Sequence, residues 1–260
     1  MNVRVIEEIK DGARDRAPVL AVRFGRGRTG GTTFLDFLVQ RARRAGRAVM
    51  IADGDPKKGL ANLYPPGSPG GAIRPRGTDI RDVMEWVTEV TSEMADAQSS
   101  MVLDMGAGDK VLFEHSKDMA LPEFCESARV RTLPIYSLGP DSEDFAEVMN
   151  VFEAGYFRSE RLLVVLNESL IKTGKGAGGA FDFIMSDPRF PGLVGSGSPV
   201  TMPRLACMDA MRNEGLTFYE AADGKRGASG RPMSLGHQFM VRTWINRMEK
   251  ELTPVEDWLP

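Results

Sequence analysis

The chain has 260 residues, 42% hydrophobic and 27% charged, with a formal net charge of −3. That length supplies a sizeable apolar core, and the near-neutral balance excludes the global basic field of a general nucleic-acid binder. Its two cysteines, Cys125 and Cys207, and two histidines, His115 and His237, fit no metal-ligand spacing, which argues against a zinc site or a histidine-based triad and for two reduced, buried thiols.

Residues 1–17 are mixed in charge and predict a short N-terminal arm that packs through Val3, Val5, Ile6 and Ile9. The first core strand is read over 19–24, Val-Leu-Ala-Val-Arg-Phe. Gly25-Arg26-Gly27-Arg28-Thr29-Gly30-Gly31-Thr32-Thr33 follows and opens a helical pattern that runs to about Ala45. Strand, glycine loop and helix start is the arrangement that wraps backbone N–H groups around phosphate, helped by the partial positive charge of the helix N-terminus. Against G-x-x-x-x-G-K-[ST], Gly25, Gly30 and Thr32 fit, while Gly31 stands where lysine is expected. The helix ends in the basic run Arg41 to Arg47, read either as cations suited to a helix C-terminus or as a contact patch for DNA or an acidic partner.

A second strand, 49–52, ends in Asp53-Gly54-Asp55-Pro56, two carboxylates at the strand end where an α/β sheet places its ligand chemistry. Residues 57–78 are rich in Gly and Pro and read as a long loop. Thr78 or Asp79 caps an amphipathic helix with Trp86 on its core side. A third strand, 99–104, ends in Asp104 before the turn Met105-Gly106-Ala107-Gly108. An Asp there can hold a magnesium-bound water, and the glycine can offer its N–H to a terminal phosphate.

A helix over 119–128, a strand over 132–138, a helix over 143–152 capped by Asp141 or Ser142, and a strand over 161–166 ending in Asn167 come next. Residues 172–198 read as glycine-rich loops; Gly174-Lys175 continues to no GK[ST] ending. A short strand at 199–203, a helix at 208–212 and a closing helix at 235–252 complete the chain, the last with Phe239, Val241, Trp244, Ile245 and Met248 on one apolar stripe. The alternation predicts an α/β fold: one domain over 1–260, with a mostly parallel twisted sheet and helices on both faces. With no 18-residue apolar run and no signal peptide, the expected location is the cytoplasm, away from membranes.

Taken in order, these motifs resemble the ParA/MinD family of deviant P-loop ATPases, whose loop reads K-G-G-x-G-K-T-T. The likeness covers roughly residues 18–222 and is nearest to plasmid partition, stability and conjugal-transfer members. Asp53-Gly54-Asp55-Pro56 matches the family's D-x-D-P; Asn167 and Met202-Pro203 match its adenine side. The resemblance implies ATP and Mg²⁺ as cofactors. It gives the N–H groups from Gly27 through Arg28, Thr29, Gly30, Gly31 and Thr32 to Thr33 to the phosphates, and Asn167 and Pro203 to the adenine. Thr32, Asp53 and Asp104 fall to magnesium, Asp55 to positioning the attacking water, and Arg26 to the signature cation that reaches the partner's nucleotide.

The function so implied is a nucleotide-dependent homodimer switch with a protein partner, and with DNA as a further partner. Without lysine at 31, catalysis is expected to be a slow ATPase at most, since loss of a phosphate-stabilising cation costs orders of magnitude in rate. The alternative is a pseudo-ATPase scaffold acting by protein contacts. A third reading, a kinase or synthetase using the Gly174–Gly179 loop, finds no second-substrate motif in the sequence.

Overall fold

The computed structural model describes residues 16–106, 110–172, 178–195 and 197–260. Six strands, β1 (Val19–Phe24), β2 (Val49–Asp53), β3 (Ser100–Asp104), β4 (Arg131–Leu138), β5 (Leu162–Asn167) and β6 (Gly197–Met202), form one sheet in the order β2-β3-β1-β4-β5-β6. Every neighbouring pair is parallel. Strands buried on both faces need continuous apolar runs, and β1 and β5 are buried along their whole length.

Odd and even positions of β1 supply different cores. Val19 and Ala21 join the side of helices α1 (Gly31–Arg44) and α4 (Leu235–Leu252). Leu20, Val22 and Phe24 join the side of helices α2 (Ile80–Asp96) and α3 (Ser142–Ala154). The expected mostly parallel sheet with helices on both faces is what the chain forms.

Local chemistry fixes the helix starts. The Asp79 carboxylate accepts from the Asp82 N–H at the start of α2, and Asp141 accepts from Glu143 at the start of α3. Trp86 is buried as expected. In α4, Val241, Trp244, Ile245, Met248 and Leu252 face the core, and Trp244 stacks on Phe218 with centroids 4.6 Å apart. Phe239 departs from the expected stripe and is 67% exposed. Two residues along a helix is about 200° of rotation, so a seam through Val241 excludes it. Gln238 takes the inward position and donates to the Met233 carbonyl at 2.7 Å.

Three stretches carry more order than expected. The 57–78 loop holds a short helix, Gly59–Leu63, and Ile73 bridges to Ala52 at the sheet edge. The helix expected at 119–128 is preceded by Lys110–Asp118, and its own span is Leu121–Ser127, with Pro122 in its first turn. Within 172–198, Asp182–Met185 and Phe190–Val194 are helical. The arm over 1–15 and the Gly174–Gly176 part of the glycine-rich loop lie outside the described residues.

The basic end of α1 is tied into the fold. Arg41 pairs with Glu249 at 2.7 Å and with Glu256; Arg44 pairs with Asp223 at 3.1 Å and lies over the Tyr219 ring. Arg43 donates to the Gly70 carbonyl, and Arg47 stands 3.9 Å from Glu256. Through Glu249 and Glu256 this run ties the end of α1 to the chain's C-terminal segment, while Arg43 has a carbonyl and the Tyr64 ring as partners.

Candidate nucleotide site

The loop Gly25–Gly30 leaves the carboxyl end of β1 and turns into α1 at Gly31. The first N–H groups of a helix have no intrahelical partner, so those of Gly31, Thr32 and Thr33 are available to an anion. A cavity of about 860 Å³ opens in front of them. Its walls include Gly27, Arg28, Gly30, Gly31, Thr32 and Thr33 from the loop and helix. Asp55, Asn167 and Pro203 enter from the ends of β2, β5 and β6. Nine of the residues chosen from the sequence therefore meet at one cleft at the carboxyl ends of parallel strands.

Asp53 and Asp104 lie fully buried beneath that cleft. The Thr32 hydroxyl donates to Asp104 Oδ2 at 2.6 Å, and Asp104 Oδ1 accepts from the Gly106 N–H at 2.9 Å. Magnesium at a phosphate site takes one or two protein oxygens and fills its octahedron with phosphate and water. A threonine hydroxyl beside a carboxylate at the loop's helix end fits that requirement. Among the described residues, no three His, Cys, Asp or Glu side chains form a cage that would hold a metal alone.

Asp53 is held by backbone donors and by Arg74. Its oxygens accept from the N–H groups of Asp55 at 2.9 Å and Ala61 at 2.7 Å, and Arg74 approaches to 3.2 Å. Burial pushes its carboxyl up, and the Ala61 N–H and Arg74 work against that. Asp53 shapes the turn that presents Asp55, whose Oδ1 accepts from the Lys57 N–H at 2.9 Å.

Asn167 is also engaged within the fold. Its amide nitrogen donates to the Thr29 carbonyl at 2.9 Å, and its amide oxygen accepts from the Ser169 N–H and hydroxyl. It ties β5 to the glycine loop. Pro203 gives its carbonyl to the Trp244 indole N–H at 2.7 Å, which links the cleft wall to α4.

Arg26 and Thr29 do not line this cleft. They face a neighbouring cavity of about 770 Å³. The Arg26 guanidinium is 2.9 Å from Glu143 and 3.3 Å from Asp144 at the start of α3. Gly108 and Ala107, part of the turn after β3, lie outside the described residues.

Sequence reasoning missed three cations at the cleft. Lys57 and Arg204 line it from the loops after β2 and β6, with no spacing to announce them. Arg23 carried a signal: it is the one charged residue in the otherwise apolar β1. It is 4% exposed, and its guanidinium turns back into the loop. There Nη1 donates to the Gly106 carbonyl at 2.5 Å, and Nη2 to the Thr29 hydroxyl at 2.8 Å and the Arg26 carbonyl. Its Nε is buried and has no partner among the described residues. Burial lowers the Arg23 pKa, while the charges of Asp104, Asp55 and Asp144 raise it; a guanidinium stays protonated throughout.

No family model matches the chain, and no curated protein matches it. Solved structures do. An ATP complex of McdA from Cyanothece superposes with a TM-score of 0.54 at 12% identity, covering 91% of this chain and 97% of that one. The apo form of Cyanothece McdA gives a TM-score of 0.52 at 12% identity, with 88% and 99% coverage. FtsY from Mycoplasma mycoides aligns at 12% identity over 62% of this chain with a TM-score of 0.39; the chain spans 59% of FtsY's length in that structure. At these identities the likeness is one of fold, and with the six-stranded parallel sheet it makes this chain an α/β protein of the P-loop NTPase fold.

Proposed function

We propose that the chain is a ParA-like nucleotide-binding protein. ATP with Mg²⁺ occupies the Gly25–Thr33 cradle and favours a face-to-face homodimer. The dimer serves plasmid or DNA partition, stability or transfer through a protein partner, with weak or no hydrolysis. The observation that carries this reading is the pairing of Thr32 with Asp104 beside a glycine loop and helix start that line the cleft.

Each residue has a task within that reading. The N–H groups of the loop and first helical turn hold phosphate oxygens. Thr32 and Asp104 hold the metal, which supplies charge neutralisation at the phosphates. Asp55, at the cleft wall, orients the attacking water. Asn167, Met202 and Pro203 form the side that meets the base. Isothermal titration with Mg–ATP tests binding, and phosphate release tests turnover. Micromolar binding with little release is the expected result; absence of binding by the folded protein would sink it.

Two observations favour a second reading, the pseudo-ATPase scaffold. Gly31 supplies no cation, and the Asn167 amide is already committed to Thr29 and Ser169. The two readings part on nucleotide. Under the scaffold reading, ATP leaves the thermal midpoint and the oligomeric state unchanged.

A further inference from the structure

We infer that Arg23 is the phosphate-binding cation of this loop, moved from the first turn of the helix to the end of the preceding strand. The inference rests on the nucleotide reading and names the side chain that fills the gap left at position 31.

The space itself points to this. A Cβ built on Gly31 would fall onto the Arg23 side chain, 2.6 Å from Cγ and 2.7 Å from Cδ and nearer still to Nε. The volume that a residue-31 side chain would enter is therefore filled by Arg23. Glycine at 31 and arginine at 23 are complementary: the one leaves the room that the other uses. Arg23 shares the α1 side of β1 with Val19 and Ala21, and pairs in register with Asp104 of β3.

The guanidinium then bridges the two walls of the phosphate cradle. One nitrogen holds Gly106 in the turn after β3, and another holds Arg26 and Thr29 in the loop. A buried cation is expensive unless its charge is matched and its donors are used. Asp104, Asp55 and Asp144 supply negative potential at this one. Its buried Nε has no acceptor among the described residues, and Arg23 lines the cleft beside Gly27, Gly30 and Gly31. Arginine presents five donors in a rigid fork, so it can keep its carbonyl partners and still donate to a phosphate oxygen.

Placing lysine at position 31 does not by itself restore the loop, because the new side chain and Arg23 compete for one space. Four proteins decide the matter by calorimetric titration with Mg–ATP, with circular dichroism and thermal melting as the check on folding: native, Arg23→Met, Gly31→Lys and the double variant. Native should bind. Arg23→Met, similar in length but uncharged, should bind at least about tenfold more weakly, as expected for losing a charged partner. Gly31→Lys alone should weaken binding and lower the melting midpoint. The double variant, with room and a cation, should bind better than either single variant.

Arg23→Met binding as well as native, or tighter, would overturn the inference and leave nucleotide binding standing. Tighter binding by Gly31→Lys with Arg23 in place would overturn it too, as would binding by the double variant when native binds nothing. If all four proteins are folded and none binds, the nucleotide reading falls and the inference with it. Should Arg23→Met fail to fold, Arg23→Gln replaces it: weakened binding supports the inference, and unchanged binding overturns it.

Discussion

At Gly25 the backbone has φ 117°, and an added Cβ would stand 2.7 Å from the Ser137 carbonyl oxygen. Backbone cannot yield as a flexible side chain does, so Gly25→Ala should lower stability by about 1–3 kcal/mol, the range for strained conformations, measured by urea unfolding. Arg28 presents the opposite case: at φ 71° it holds a left-handed conformation that disfavours every residue with a Cβ. Arg28→Gly should raise stability by about 1 kcal/mol, net of the extra freedom glycine gives the unfolded chain. A lower midpoint would mean that the Arg28 side chain makes contacts worth more than the strain. The residue scale is also where the sequence was least legible. Glycine spacing announced the loop, and Asp53, Asp55, Asp104 and Asn167 followed in order. The filling of Gly31's space by a side chain eight positions earlier is a tertiary fact that no local pattern encodes. Asn167 and Asp53 also hold backbone groups, an engagement that their positions at strand ends did not announce.

Elements were more legible, because a strand buried on both faces and an amphipathic helix each impose a period on the sequence. Where the period was short or broken by Gly and Pro, as in Gly59–Leu63 and the two helices between β5 and β6, it was not readable in advance. The closing helix shows the limit of counting apolar residues without phase. Phe239→Ser should change stability by less than about 0.5 kcal/mol, while Trp244→Ala, which empties a stacked and hydrogen-bonded position, should cost about 3–5 kcal/mol. Equal losses would mean that the helix is rotated from the seam described. The helix Lys110–Asp118 carries a pH dependence. His115 is 2% exposed, its Nε2 lies 2.9 Å from the Thr88 hydroxyl, and its buried Nδ1 has no partner among the described residues. Burial holds its pKa below the ordinary value near 6.5, against a smaller upward pull from Asp118. The unfolded chain thus binds a proton that the folded chain resists. Stability is full above about pH 6.5 and falls as the pH drops from there toward the lowered folded value, below which this contribution is flat. Melting midpoints from pH 7.5 to 5 should fall more in the native protein than in His115→Gln.

For the whole molecule, the parallel sheet decides where function can sit. Parallel strands send the loops after β1, β2, β3, β5 and β6 to one edge, so residues distant in sequence, from Gly27 to Pro203, share a single cleft. That convergence was legible because strand–helix alternation fixes which strand ends lie together, whatever the loops contain. The same geometry sets the terms for the dimer. Arg26 stands beside the cleft, its side chain 43% exposed and paired with Glu143 and Asp144 on its own chain. To serve a nucleotide on a facing copy it must leave that pair. Exposed ion pairs contribute little, typically under about 1 kcal/mol, so the exchange is affordable only if a bound phosphate offers a stronger partner. Light scattering after size exclusion should therefore give the mass of one chain without nucleotide and of two with Mg–ATP. Arg26→Ala should bind Mg–ATP within a few-fold of native by titration yet remain at the mass of one chain. Dimerisation that persists in Arg26→Ala would separate the switch from this arginine, and a native protein saturated with Mg–ATP that stays a monomer would overturn the nucleotide-dependent dimer.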